Sequence, residues 1–256
     1  MCLILFALGQ HPEFPLVLAA NRDEFHARPT SPMHWWARGS VLAGRDERSG
    51  GTWLAVDSQG TVSAVTNVRE PGAPSAPESR GVLPLKALSE SPAELAMEMR
   101  QEGTRYGGFN LVRLQAQDGW YFSNRDPHPG RHLHRGAYGV SNELLQSPWP
   151  KLVKLRQEMI GLLHQSEGRG PDMMHQRLIE KLQDDTPAPD SLLPDTGIGL
   201  EAERFLSSPF IKGEKYGTRA TTIVTVQRGG HIQVTEQSWR PGGIPGEQLR
   251  FSWQSC

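Results

Sequence analysis

The chain has 256 residues, 21% of them charged, and a formal net charge of −1. That balance gives no bulk attraction to nucleic acid or to an anionic membrane surface. No stretch approaches the ~20 apolar residues of an integral membrane segment.

With 37% hydrophobic residues, 27 glycines and 20 prolines, the composition describes a globular, turn-rich chain with a sizeable core. The apolar run Leu3–Leu8 is too short for a signal h-region and has no basic residues before it. The expectation is a cytoplasmic protein, with residues 1–256 forming one domain. Two cysteines, Cys2 and Cys256, make no disulfide framework, and a bridge between them would need a geometry that sequence spacing does not supply.

The first half reads as strands. Cys2–Leu8 and Pro15–Ala20 are apolar runs separated by a Gly- and Pro-bearing turn, which predicts a hairpin. Phe25–Gly51, with Pro29, Pro32, Trp35 and Trp36, reads as a long functional loop. Thr52–Asp57 and Thr61–Asn67 flank Ser58-Gln59-Gly60, a second hairpin, and Arg69–Arg80 reads as an exposed loop. A short helix is expected over Pro84–Leu88. Ser91-Pro92-Ala93-Glu94 has the form of a capping box opening a helix to Gln101. Phe109–Leu114 and Trp120–Ser123 suggest another hairpin, and Tyr138–Asn142 a short strand.

Helices follow over Pro148–His164 and Pro171–Leu182, the first with Leu152, Leu155, Met159, Leu162 and Leu163 at helical spacing. Gln183–Leu200 reads as a linker. Thr221–Val226, His231–Gln237 and Leu249–Trp253 return as strands. Strands, then helices, then strands indicate an α+β fold with mainly antiparallel sheet.

Cys2 carries the most pointed chemistry. Once Met1 is trimmed, Cys2 bears a free α-amine, of reference pKa about 8, beside a thiol of about 8.5. One residue then supplies nucleophile and base. Asp23, in Asn21-Arg22-Asp23-Glu24, can hold that amine if the hairpin forms. Strand alternation puts Asn21 and Asp23 on one face and Arg22 and Glu24 on the other. Asn67 and Asn142 are neutral amides suited to an oxyanion. Arg219 can hold a carboxylate or orient the amine.

Each residue also has a plainer role. Cys2 can be a small buried hydrophobe, the Asn-Arg-Asp-Glu knot a strand-end ion-pair cluster, Asn67 and Asn142 strand terminators, and Arg219 a surface charge. His128, His132 and His134 are candidate metal or haem ligands, but no Cys or carboxylate set at fixed spacing accompanies them, and a polar loop entering a strand fits as well. There is no C-x-x-C-H, H-E-x-x-H, G-x-S-x-G or Walker A sequence.

Several stretches together resemble the NRDE family, the homologues of transport and Golgi organisation protein 2: "MCLILF", "LAANRDEF", "GGTWLAV", "AVTNVREP", "GGFNLV", "YGVSNELLQSPWPKL" and "YGTRATTIVTV". The resemblance implies an N-terminal-nucleophile hydrolase fold, a four-layer αββα sandwich with two antiparallel sheets. It also implies kinship with penicillin V acylases and bile salt hydrolases. By position Cys2 matches their nucleophile, Asp23 the amine-binding Asp and Asn142 an active-site Asn, while Asn67 and Arg219 match more loosely. Those acylases keep an Arg three residues before the Asp, where this chain has Ala20 and the nearest Arg is Arg22.

Two functions are therefore expected in contrast. One is Cys2-dependent hydrolysis of an amide or thioester in a small or lipid-like substrate, with no required cofactor. The other, drawn from the family's association with haem trafficking and acyl-CoA, is non-catalytic carriage of such cargo. A carrier would have an apolar groove walled by Trp35, Trp36 and Trp53. For haem, His34, His128 or His132 would be the axial ligand.

Overall fold

A computed structural model describes residues 2–36, 40–116, 118–128 and 130–255. Met1 and Cys256, and with them the trimming and disulfide questions, lie outside these residues. Two sheets form the centre. The first has six strands in the order β10-β1-β2-β11-β12-β13, and every pairing is antiparallel. Its members are β1 (Cys2–Leu8), β2 (Leu16–Phe25), β10 (Gly136–Val140), β11 (Tyr216–Val226), β12 (His231–Arg240) and β13 (Ile244–Gln254). The second runs β3-β4-β5-β6-β7-β8-β9 and is also antiparallel. It comprises β3 (Thr30–Trp35), β4 (Val41–Asp46), β5 (Leu54–Asp57), β6 (Val62–Asn67), β7 (Phe109–Gln115), β8 (Asp118–Ser123) and β9 (Arg131–Leu133).

Period-two alternation decides which side chain goes where. In β1 and β2, Ile4, Phe6, Leu8, Leu16, Leu18 and Ala20 meet Leu54, Val56, Val62 and Val112 of the other sheet. Their odd-numbered neighbours Leu3, Leu5, Ala7, Val17 and Ala19 pack instead on helices α3 (Pro150–Gln165) and α4 (Pro171–Leu182). β1 is buried on both faces, which is why it reads as an unbroken apolar run. Helices α1 (Leu83–Ser89) and α2 (Pro92–Glu102) cover the outer face of the second sheet, where Leu83, Leu95 and Met99 meet Phe109, Leu111 and Phe122. The layers are therefore helix, sheet, sheet, helix, the αββα sandwich that the resemblance implies.

The capping box holds. Ser91 Oγ accepts from the Glu94 N–H at 3.3 Å, and the Glu94 carboxylate accepts from the Ser91 N–H at 2.9 Å. Two expectations change. The long loop Phe25–Gly51 contains two strands, β3 and β4. Pro32 concealed the first of them. β3 is the edge of its sheet, where a residue without an N–H costs no ladder bond, and its register shifts between Ser31 and His34. The linker Gln183–Leu200 leads directly into a further short helix, α5 (Leu200–Phe205).

Candidate functional site

The site lies at one end of the sandwich. Cys2 opens β1 and pairs with Arg22, Arg22 pairs with Ala220, and Ala220 with Ser238. Beyond that rung the two sheets part. They leave a cavity of about 630 Å³ lined by Cys2, Arg22, Asp23, Glu24, Asn67, Arg80 and Arg219 among others. The opening is polar because the strands' apolar alternation stops there. After Ala20 the residues are Asn21-Arg22-Asp23-Glu24, and after Thr66 comes Asn67.

Cys2 shares the sheet–sheet face of β1 with Ile4 and Phe6. The residue is 8% exposed. Burial pushes the thiol pKa up, Asp23 and Glu24 add to the rise, and Arg22 opposes it. Asp23 points to the helix-covered side of β2, where it accepts from the Thr218 hydroxyl at 2.7 Å. Burial raises its pKa too, against the positive charge of Lys151, the Thr218 hydrogen bond and Arg22. Lys151, in the first turn of α3, is buried and donates to the Leu206 carbonyl at 2.8 Å. Desolvation lowers its pKa to about 8, with Asp23 pulling the other way.

Asn67 and Asn142 meet. Asn142 Nδ2 donates to Asn67 Oδ1 at 3.1 Å and to the Asn67 carbonyl at 3.0 Å. With its oxygen so engaged, the Asn67 amide leaves Nδ2 without a protein partner among the described residues. Asn67 lines the cavity, whereas Asn142, 1% exposed, stands behind it. The Ser141 hydroxyl lies 3.0 Å from the Cys2 carbonyl and 3.2 Å from Asn142 Oδ1.

Arg219 sits where the β2–β11 register shifts between Thr218 and Ala220. The bulge turns its side chain toward the cavity, where it donates to the carbonyls of Arg28 at 2.5 Å and Phe25 at 3.2 Å. Arg22 and Arg28 share one carboxylate, Asp46, at 3.6 and 2.5 Å.

Other candidates take different places. Asn21 does not face the cavity. Its Nδ2 donates to the carbonyls of Leu182 and Pro209, both at 2.9 Å, and Oδ1 accepts from Thr221 at 2.6 Å, so it is a structural tie to the helix layer. Glu24 lines the cavity but also caps the Phe25 N–H at 2.8 Å. The expected tryptophan wall is reduced to Trp53. Trp35 packs edge-on against Trp253 at 4.9 Å, and Trp36 lies under the Arg45 guanidinium at 5.2 Å with its indole N–H on the Ala43 carbonyl. Trp35 packs against the sheet–sheet core and Trp36 lies just past the end of β3, and neither lines the cavity. His34, His128, His132 and His134 are exposed and none lines the cavity. His132 faces Asp118 at 3.6 Å. Among the described residues no cluster of metal-ligating side chains forms.

Sequence reasoning missed three residues that matter at the site, two of them lining the cavity. Arg80 was hidden in a segment read as an exposed loop, together with Arg69, whose side chain is instead buried, paired with Glu203 at 2.6 Å and stacked on Trp149. Arg80 lines the cavity and donates to the Gly108 carbonyl at 2.9 Å. The segment is clamped by Gly51. A Cβ there would stand 2.4 Å from the Gly81 carbonyl oxygen, and the Thr52 N–H bonds that same oxygen at 2.8 Å. Glu236 of β12 is 3% exposed at the cavity wall. It accepts from the Met33 N–H at 2.7 Å, and burial pushes its pKa up to about 7. Thr218 is the third, as the partner of Asp23. Only Thr218, within the quoted stretch that begins Tyr216-Gly217-Thr218, lay in a signal of the sequence.

The class of protein is thus an αββα sandwich with a cysteine at the start of an interior strand, facing a charged opening between the sheets. The family model described as Transport and Golgi organisation 2 matches residues 1–241, and the chain belongs to that family. It is 32% identical over 260 residues to the mouse Transport and Golgi organization 2 homolog, covering 93% of each chain. It is likewise 32% identical to the human homolog over 257 residues and 25% identical to the Drosophila melanogaster protein over 264. Among solved structures it is similar to the Caenorhabditis elegans N-acylethanolamine-hydrolyzing acid amidase ortholog, at TM-score 0.44 and 12% identity, covering 87% of this chain and 92% of that one. It is also similar to the C2A mutant of the conjugated bile acid hydrolase from Clostridium perfringens, at TM-score 0.46 and 7% identity, covering 99% and 92%.

Proposed function

We propose that the protein is an N-terminal-nucleophile hydrolase that cleaves an amide or thioester through an acyl-Cys2 intermediate. The observation that carries this reading is the placement of Cys2. It is the first residue of a buried strand, at the wall of the cavity, with Asp23 next to its pairing partner Arg22 and with Asn67, at the end of β6 in the opposing sheet, held by Asn142.

The chemistry follows from these groups. With Met1 removed, the neutral α-amine of Cys2 takes the thiol proton, and Asp23 stabilises the resulting ammonium. The thiolate attacks the carbonyl carbon. The oxygen gains charge, and Asn67 Nδ2 is the side-chain donor available to it. The carbon–nitrogen or carbon–sulfur bond then breaks, and the leaving group departs with the proton from the ammonium. Water, deprotonated by the same amine, cleaves the acyl-Cys2 thioester and restores the thiol. Burial favours the neutral thiol and the neutral acid, so the ammonium acts together with Lys151, the Thr218 hydroxyl and Arg22 to draw Asp23 into its charged form.

A second reading keeps the cavity and omits the chemistry, as a carrier of haem or acyl-CoA. It is favoured by the rise in the Cys2 thiol pKa, which disfavours the nucleophilic form. No histidine lines the cavity, so a bound haem iron would have Cys2 as its protein ligand among the described residues.

Intact mass of the purified protein, before and after incubation with acyl-amide and acyl-thioester substrates, separates the readings. The hydrolase reading expects loss of Met1, a transient acyl adduct on Cys2, and release of product that stops in Cys2→Ala. A retained Met1 with no adduct and no turnover overturns it. Acyl-CoA affinity equal in wild type and Cys2→Ala, or haem affinity that falls in Cys2→Ala, in either case without turnover, supports carriage.

A further inference from the structure

Five arginines and six carboxylates line the cavity, and of those arginines Arg80 and Arg219 form no salt bridge among the described residues. Arg22 and Arg28 share Asp46. Two of the lining carboxylates are paired with arginines outside the lining, Glu70 with Arg125 and Glu78 with Arg105. Arg80 and Arg219 differ from their neighbours. Arg80 donates to one backbone carbonyl, that of Gly108, and Arg219 to the carbonyls of Phe25 and Arg28.

Each guanidinium carries five N–H donors in a fixed fork, so both retain donors facing the cavity they line. Both are partly desolvated, and burial lowers the pKa of each. A half-buried cation satisfied only by carbonyl dipoles is stabilised further by an anion. Both are also held in place. The Gly51–Gly81 backbone contact clamps the turn that carries Arg80, and the β-bulge aims Arg219. They belong to different parts of the fold, the turn before α1 and the first residues of β11, so the cavity receives them from separate walls.

We propose that the ligand of this cavity carries an anionic group, a carboxylate or a phosphate-type oxyanion, that is held by Arg80 and Arg219. The proposal rests on the hydrolase reading only in taking the same cavity as the substrate site. It gives that site a substrate class: an amide or thioester whose acyl or leaving part ends in an anion. Arg80 thereby brings a guanidinium to a site where Ala20, buried in the sheet–sheet core, brings none.

The test uses two probes that differ by one charge, suberic acid mono-N-methylamide and the neutral bis-N-methylamide, titrated calorimetrically into the Cys2→Ala protein, which cannot turn over. The expected result is that the anionic probe binds about tenfold or more tightly than the neutral one, the size of one charge-assisted contact. Arg80→Gln and Arg219→Gln should each remove most of that preference and leave affinity for the neutral probe unchanged. Arg80→Lys and Arg219→Lys should restore part of it. Affinity for the anion no greater than for the neutral amide, including no detectable binding of either, overturns the proposal. So does a preference that survives both Gln variants. Thermal unfolding of each variant shows that it is folded before titration. Because binding is read without turnover, a failed hydrolase assay on wild type leaves this result standing, and the converse also holds.

Discussion

The hydroxyl of Ser141 lies 3.0 Å from the main-chain carbonyl of Cys2. The turn that carries Asn142 is therefore fastened to the backbone of the cysteine itself, and Asn142 in turn positions Asn67. Ser141→Ala should cost about 1–2 kcal/mol, because a buried carbonyl loses its partner. Under the hydrolase reading it should also lower kcat roughly tenfold or more through misplacement of Asn67, with KM changed less. Urea unfolding and steady-state kinetics on one preparation check both. A kcat loss no larger than the fraction unfolded would show that the fastening is only structural.

Asn21 should prove a stability residue. It stands in a buried chain in which the Trp239 indole N–H donates to Thr221 at 2.9 Å and Thr221 donates to Asn21. Asn21→Asp would set a carboxylate against the carbonyls of Leu182 and Pro209 and lose two donors. The expected cost is about 2–4 kcal/mol in denaturant unfolding, with kcat/KM per folded molecule unchanged.

Glu236 makes a pH prediction. Its folded pKa, about 7, lies above the ordinary 4.5. The folded state therefore holds the proton more tightly, and this residue's contribution to stability falls as pH rises from about 4.5 to about 7, then levels off. Glu236→Gln keeps an acceptor for the Met33 N–H and removes the buried charge. It should be more stable than wild type at pH 8, by up to about 3 kcal/mol, and show no gain at pH 4. Parallel chemical denaturation at the two pH values reads the difference directly, and an equal gain at both would remove the titration of Glu236 as its cause.

Lys151 controls Asp23 from the helix layer. Its positive charge lowers the Asp23 pKa, which burial otherwise raises. At pH 7, below its own value of about 8, it is mostly charged. Lys151→Met should push Asp23 further up and move the acidic limb of the pH–rate profile to higher pH. An unshifted limb would mean that Asp23 does not set it.

Much of this could be read from the chain, and the reasons are local. Cys2–Leu8 and the capping box at Ser91 are short-range patterns, and both appear as expected. The alternation through Asn21-Arg22-Asp23-Glu24 correctly separates the two faces, yet it could not tell that Asn21 would find carbonyls 161 and 188 residues away. β3 was obscured because an edge strand tolerates Pro32. Arg80 was invisible because its position depends on a loop docking against Gly51 and Gly108, a contact no periodicity encodes. Glu236 looks like an ordinary polar strand residue until the second sheet closes over it.

The close approach of Gly51 to Gly81 bears on how the chain tolerates change. No side chain fits at position 51 while the Gly81 carbonyl stays 2.4 Å from where its first carbon would be. In a saturation library sorted for anion binding, position 51 should therefore return glycine and little else, as intolerant as a residue that touches ligand. A map of mutational sensitivity drawn without the structure would mark it as a contact. It is a spacer, whose missing atoms decide where the guanidinium of Arg80, far along the chain, can stand.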